Sequence, residues 1–85
     1  MTKEICVINR KGFHARPATV FVEAASEYTG EITVSYGKKK VNGKSLIALM
    51  SLSVPHDGVV TISVEGSDVE KTMKKLENIL GINYE

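Results

Sequence analysis

The stretch Gly12-Phe13-His14-Ala15-Arg16-Pro17-Ala18 sets an imidazole and a guanidinium two residues apart, at a point where a helix can begin. Pro17 suits a first helical turn, because the N–H it lacks would have had no intrahelical partner there. A helix start carries unpaired N–H groups and a partial positive charge, and so favours an anion. Arg16 adds a permanent cation with several donors. A neutral ring nitrogen of His14 at that place is able to act as a nucleophile. If that nitrogen attacks a phosphoryl group, the product carries negative charge at the helix start, where the backbone of Ala15, Arg16, Pro17 and Ala18 forms the candidate cradle. Residue types and spacing alone leave a second reading open, in which His14 caps the helix and Arg16 is a surface side chain.

The rest of the chain narrows where a phosphate could come from. Neither a Walker loop nor a glycine-rich strand-to-helix turn is present, so there is no nucleotide cradle and the phosphate would have to arrive from another protein. His14 and His56 are far apart in sequence and Cys6 has no ligand at metal spacing, so neither a metal nor a cofactor is expected. Eleven Lys and Arg stand against ten Asp and Glu, which gives no global basic field for nucleic acid. The one basic run, Lys38-Lys39-Lys40, reads as a solvated hairpin tip. A single cysteine, no long apolar run and no signal-peptide pattern fit a soluble protein of a reducing cytoplasm, without membrane insertion. Eighty-five residues suffice for one domain, 1–85, with a modest core.

Periodicity then supplies the elements that must hold the site. Glu4 to Ile8 reads as a strand, with Cys6 a small hydrophobe within it, and Asn9-Arg10-Lys11-Gly12 as a polar loop. Ala18, Phe21, Val22 and Ala25 make an apolar helical stripe, with Thr19, Glu23 and Ser26 facing away and Tyr28-Thr29-Gly30 as the stop. Glu31 to Tyr36 alternates, turns at Gly37-Lys38 and returns through Lys40-Val41-Asn42, a hairpin with Ile32, Val34 and Tyr36 on one side. Ser45 caps a short helix whose Leu49 and Leu52 turn inward, which leaves Leu46, Ile47 and Met50 at least partly outside. Pro55-His56-Asp57-Gly58 is a turn, and Val59 to Glu65 is a fourth strand with Val60, Ile62 and Val64 on one face. Ser67-Asp68-Val69-Glu70 has the form of a capping box before a helix with Val69, Met73, Leu76 and Leu80 on one side and Gly81 at its end. The order β-α-β-β-α-β-α predicts an α+β fold: a split β-α-β, open-faced sandwich with a four-stranded antiparallel sheet and three helices on one face.

The motif around His14, together with Lys44-Ser45-Leu46 and Met50-Ser51-Leu52, resembles HPr, the histidine-containing phosphocarrier family of the bacterial sugar phosphotransferase system. The likeness runs over nearly the whole chain. It implies that His14 receives a phosphoryl group on Nδ1 from phosphorylated enzyme I and passes it to sugar-specific enzyme IIA domains, with Arg16 steadying the phosphoryl group. It implies a monomeric carrier turned over as a protein substrate, not an enzyme, with Leu46, Ile47 and Met50 as the docking face. By the same resemblance Ser45 is a regulatory phosphorylation site, with HPr kinase/phosphorylase and a catabolite-control transcription factor as further partners. Lys11 stands where family members often carry a small polar residue, and puts a positive charge near the phosphate instead. Within the family the intact Arg16-Pro17 pair favours the sugar branch over the nitrogen-related branch, and His14 argues against the paralogue that acts only in catabolite repression. From another class, a non-catalytic ligand-binding module on a similar scaffold would not require His14 beside Arg16.

Overall fold

In the computed structural model, which describes residues 1–84, seven elements follow in the expected order. They are β1 (Thr2–Cys6), α1 (Ala15–Glu27), β2 (Glu31–Tyr36), β3 (Lys39–Asn42), α2 (Leu46–Ser51), β4 (Val59–Glu65) and α3 (Val69–Leu80). The strands form one antiparallel sheet in the order β1-β4-β2-β3, so the two strands joined by the hairpin lie at one side and β4 runs between β1 and β2.

Alternation decides which face of the sheet is covered. Val60, Ile62 and Val64 of β4 and Val34 of β2 are fully buried, and Ile32 and Ile5 nearly so. Facing them are Ala18, Phe21 and Ala25 of α1, Leu49 of α2, and Met73, Leu76, Ile79 and Leu80 of α3. Withdrawing this much apolar surface from water is what holds the helices on the sheet. Thr33, Ser35, Thr61 and Ser63 lie on the opposite, half-exposed face, so that face needs no second layer.

The sequence expectations are corrected at the first strand, at Cys6, at the start of α3 and in the apolar stripes of α1 and α3. The first strand is Thr2–Cys6 and not Glu4–Ile8: Cys6 pairs with Val59 at its end, and Val7 then exchanges hydrogen bonds with Gly58 and Asp57. Cys6 itself is exposed, because period-two alternation sends Ile5 and Val7 inward and Cys6 to the open face. The unbroken apolar run of residues 5–8 had hidden that alternation.

The capping box before α3 does not form. Asp68 is the N-cap in the left-handed region (φ 51°), with no side-chain hydrogen bond to the helix. The loop is fastened instead by the Tyr28 hydroxyl, which donates to the Ser67 carbonyl. Val22 and Val69 are only half-buried, and Ile79 takes a core position that the stripe of residues 69, 73, 76 and 80 had not included. Among the described residues no helix is long and apolar enough to cross a membrane.

Candidate active site

The site is built on the loop of residues 7–14, between β1 and α1. Gly12 adopts φ +72°, and a Cβ there would lie 2.0 Å from the Val54 carbonyl oxygen. Only glycine accepts both the left-handed backbone and that approach. The tight fit lets the Phe13 N–H donate to the same Val54 carbonyl at 2.9 Å. Phe13 is thereby buried edge-on against Phe21, with ring centroids 5.6 Å apart and planes at 73°. A core anchor on one side and α1 on the other leave His14 at the rim, half-buried.

His14 is the N-cap residue of α1, with an extended backbone, but its ring makes no hydrogen bond to the helix. Its Nε2 lies 3.3 Å from the Asn9 side-chain oxygen Oδ1. The reading of His14 as a side-chain cap is therefore excluded by geometry. The helix ladder begins with the Ala18 N–H donating to the His14 carbonyl at 3.0 Å, and Pro17 has no N–H. Of the four residues expected to cradle an anion, only Ala15 and Arg16 have N–H groups outside the intrahelical ladder. Arg16 is exposed at the second position of the helix, and Lys11 is exposed in the loop before it.

Asn9 lies in the polar loop of residues 9–12, yet it is 1 % exposed. Its backbone carbonyl accepts from the Gly12 N–H at 2.9 Å and faces His56 Nδ1 at 3.0 Å. Its side-chain Nδ2 points to the Ile82 carbonyl at 3.5 Å, while the Arg10 N–H reaches Asn83 Oδ1 at 3.3 Å. His56, which the sequence showed only as a turn residue, thus fastens the site loop. The one local signal for Asn9 was an amide three residues before a glycine in a turn; nothing nearby in sequence marks it as buried.

The second motif lies on α2, which packs against α1. Ser45 is its N-cap, and the hydroxyl oxygen accepts from the Ala48 N–H at 3.3 Å. Leu49 is fully buried and Leu52 nearly so, while Leu46 and Met50 are exposed and Ile47 is 84 % exposed. The expected division of this helix is observed residue by residue.

A sequence model described as the PTS HPr component phosphorylation site matches residues 1–81. The chain belongs to the HPr phosphocarrier family. Its fold is that of HPr from Thermoanaerobacter tengcongensis, at 40 % identity over 99 % of both chains with a TM-score of 0.87. HPr from Bacillus anthracis is similar at 34 % identity over 93 % of this chain and 94 % of that one, with a TM-score of 0.87. Crh, the Bacillus subtilis catabolite-repression protein, solved as a domain-swapped dimer, shares 36 % identity over 85 % and 83 % of the two chains, with a TM-score of 0.75. Membership of the HPr family carries the general role of a phosphocarrier in the phosphotransferase system.

Proposed function

We propose that His14 is the residue that carries the phosphoryl group, accepted from enzyme I and passed to sugar-specific enzyme IIA domains in the cytoplasm. The observation that carries this reading is the N-cap histidine whose ring is turned off the helix it caps. An imidazole held beside a helix start has a nucleophile and an anion-stabilising field in one place. In the step itself the lone pair of Nδ1 forms a bond to phosphorus. The bond from phosphorus to the donor breaks, and its electron pair stays with the donor. The Ala15 and Arg16 N–H groups and the Arg16 guanidinium hold the negative charge of the transferred group. Reversal of the same step on an enzyme IIA histidine empties the carrier, so the protein is a substrate in both half-reactions and not an enzyme.

Docking falls to the exposed apolar residues of α2, Leu46, Ile47 and Met50. Three such side chains on six residues of helix favour a small, transient interface, which suits a shuttle that must release each partner. Phosphorylation of Ser45 by HPr kinase/phosphorylase places a dianion at the edge of this face. It weakens docking without unfolding α2, because a phosphate is well placed at a helix N-terminus, and it offers a charged epitope to a catabolite-control transcription factor. The intact Arg16-Pro17 pair supports the sugar branch over the nitrogen-related one.

The test is incubation with phosphoenolpyruvate and enzyme I. A single acid-labile, base-stable phosphate is expected on the native chain and none on His14→Ala. Equal labelling of the two proteins would remove His14 from the mechanism.

A further inference from the structure

The ring of His14 has two nitrogens, and transfer at Nδ1 requires that this one bear the lone pair while Nε2 carries the proton. Asn9 lies against Nε2 with its side-chain oxygen at 3.3 Å. Its amide could in principle face either way, and the surroundings decide between the two. With Oδ1 toward the ring, Nδ2 faces the Ile82 carbonyl at 3.5 Å, a donor to an acceptor. Turned over, the amide would set its own oxygen against the Ile82 oxygen, two acceptors with no proton between them inside a residue that is 1 % exposed. An acceptor fixed opposite Nε2 demands a proton on Nε2.

The main chain of Asn9 is fixed as firmly as its side chain. The carbonyl takes the Gly12 N–H at 2.9 Å and faces His56 Nδ1 at 3.0 Å. Next to it the Arg10 N–H is bonded to Asn83 Oδ1 at 3.3 Å. The loop thus cannot follow the ring if the ring turns.

We propose that Asn9 is a positioning residue of the site: its side-chain carbonyl holds the His14 ring in the Nε2–H tautomer and in the orientation that presents Nδ1, and residues 82 and 83 brace Asn9 in turn. The inference rests on the phosphocarrier reading for its functional meaning, although the hydrogen-bond arrangement stands without it. During transfer the ring gains positive charge as Nδ1 bonds to phosphorus. The Nε2–H···Oδ1 bond then becomes charge-assisted and strengthens, so Asn9 stabilises the transition state more than the resting protein.

The experiment reads the ring proton directly. In nitrogen-15 labelled, unphosphorylated native protein at mildly alkaline pH, a His14 ring N–H resonance is expected, attached to Nε2 and slowed in its exchange with water. In Asn9→Ala that resonance is expected to broaden by exchange, and the transfer rate from enzyme I at saturating carrier to fall roughly tenfold, with the KM of enzyme I for the carrier little changed. A ring proton found on Nδ1 in the native protein would overturn the proposal, and so would an Asn9→Ala protein that transfers at the native rate. If the alanine variant does not fold, the native spectrum alone decides. A native chain that shows the Nε2 proton but accepts no phosphate overturns the phosphocarrier reading and leaves the tautomer assignment standing.

Discussion

Two of the three helix starts in this molecule, those of α1 and α2, treat a polar N-cap residue in opposite ways. At α2 the Ser45 hydroxyl turns inward and accepts the Ala48 N–H, so the cap serves the helix. At α1 the His14 ring turns outward to Asn9 and the helix receives no side-chain cap. A side-chain cap contributes about 1 kcal/mol to a helix. Its omission at α1 leaves the helix start beside the His14 ring without a side-chain cap. One start is finished by its own side chain, whereas the other, in the proposed function, is where the phosphoryl group is held.

The sharpest way to break the comparison is to exchange which property each residue loses. His14→Ala abolishes transfer, measured as label gained from phosphoenolpyruvate through enzyme I, and leaves a folded protein by circular dichroism. Retained transfer would show that the outward turn of the ring has no function.

Next in size is Gly12→Ala. The added Cβ meets the Val54 carbonyl in a backbone region that alanine avoids, and the expected loss is about 3 kcal/mol or more. In a domain of this size that lowers the melting temperature by about 12 °C or more. A shift of one or two degrees would mean that the loop bearing His14 is softer than the α2 start.

Ser45 gives smaller, opposed effects. Ser45→Ala removes the cap and costs about 1 kcal/mol, readable as a fall of about 4–8 °C in melting temperature, with the transfer rate unchanged. Ser45→Asp keeps a capping oxygen and so the melting temperature, but its charge beside Ile47 and Met50 slows transfer. Equal rates for Ser45→Asp and the native chain would sink the regulatory role assigned to this position.

The smallest effect is one of pH. Burial raises the Tyr84 phenol above its ordinary value of 10.0. The fold therefore favours the neutral phenol, and the stability this gives is complete below that ordinary value and fades as pH rises through the higher folded one. Tyr84 packs against the core, so the melting temperature is expected to fall slightly as the phenol ionises. A phenolate absorbance titration beside melting curves at rising pH checks this, and Tyr84→Phe should reduce the dependence.

Legibility in the sequence divided along similar lines. The strands of the hairpin and β4 showed their faces by alternation alone, and α2 showed both its cap and its exposed apolar side, because those signals lie within a few residues of each other. The start of α1 at His14, Arg16 and Pro17 was legible for the same reason. Asn9 was not: its burial depends on a carbonyl seventy-three positions further along the chain, and its main-chain tie on a turn forty-seven positions away. The first strand slipped because Ile5-Cys6-Val7-Ile8 has no polar residue to mark its period. Ser67-Asp68-Val69-Glu70 had every residue of a capping box, and the tie from Tyr28 to Ser67 overrode it.

The long reach of the ties on Asn9 gives the site a place in time as well as in space. Helix α1 and the histidine at its head are made early in synthesis, but a ribosome must release residues 82 and 83 before the loop beside them can be braced. Contacts this distant in sequence close late in folding, because their loop entropy must be met first. A chain still emerging, or one cut short of those residues, has the histidine without the support that Asn9 is proposed to give it, so the geometry of the loop is tied to completion of the fold.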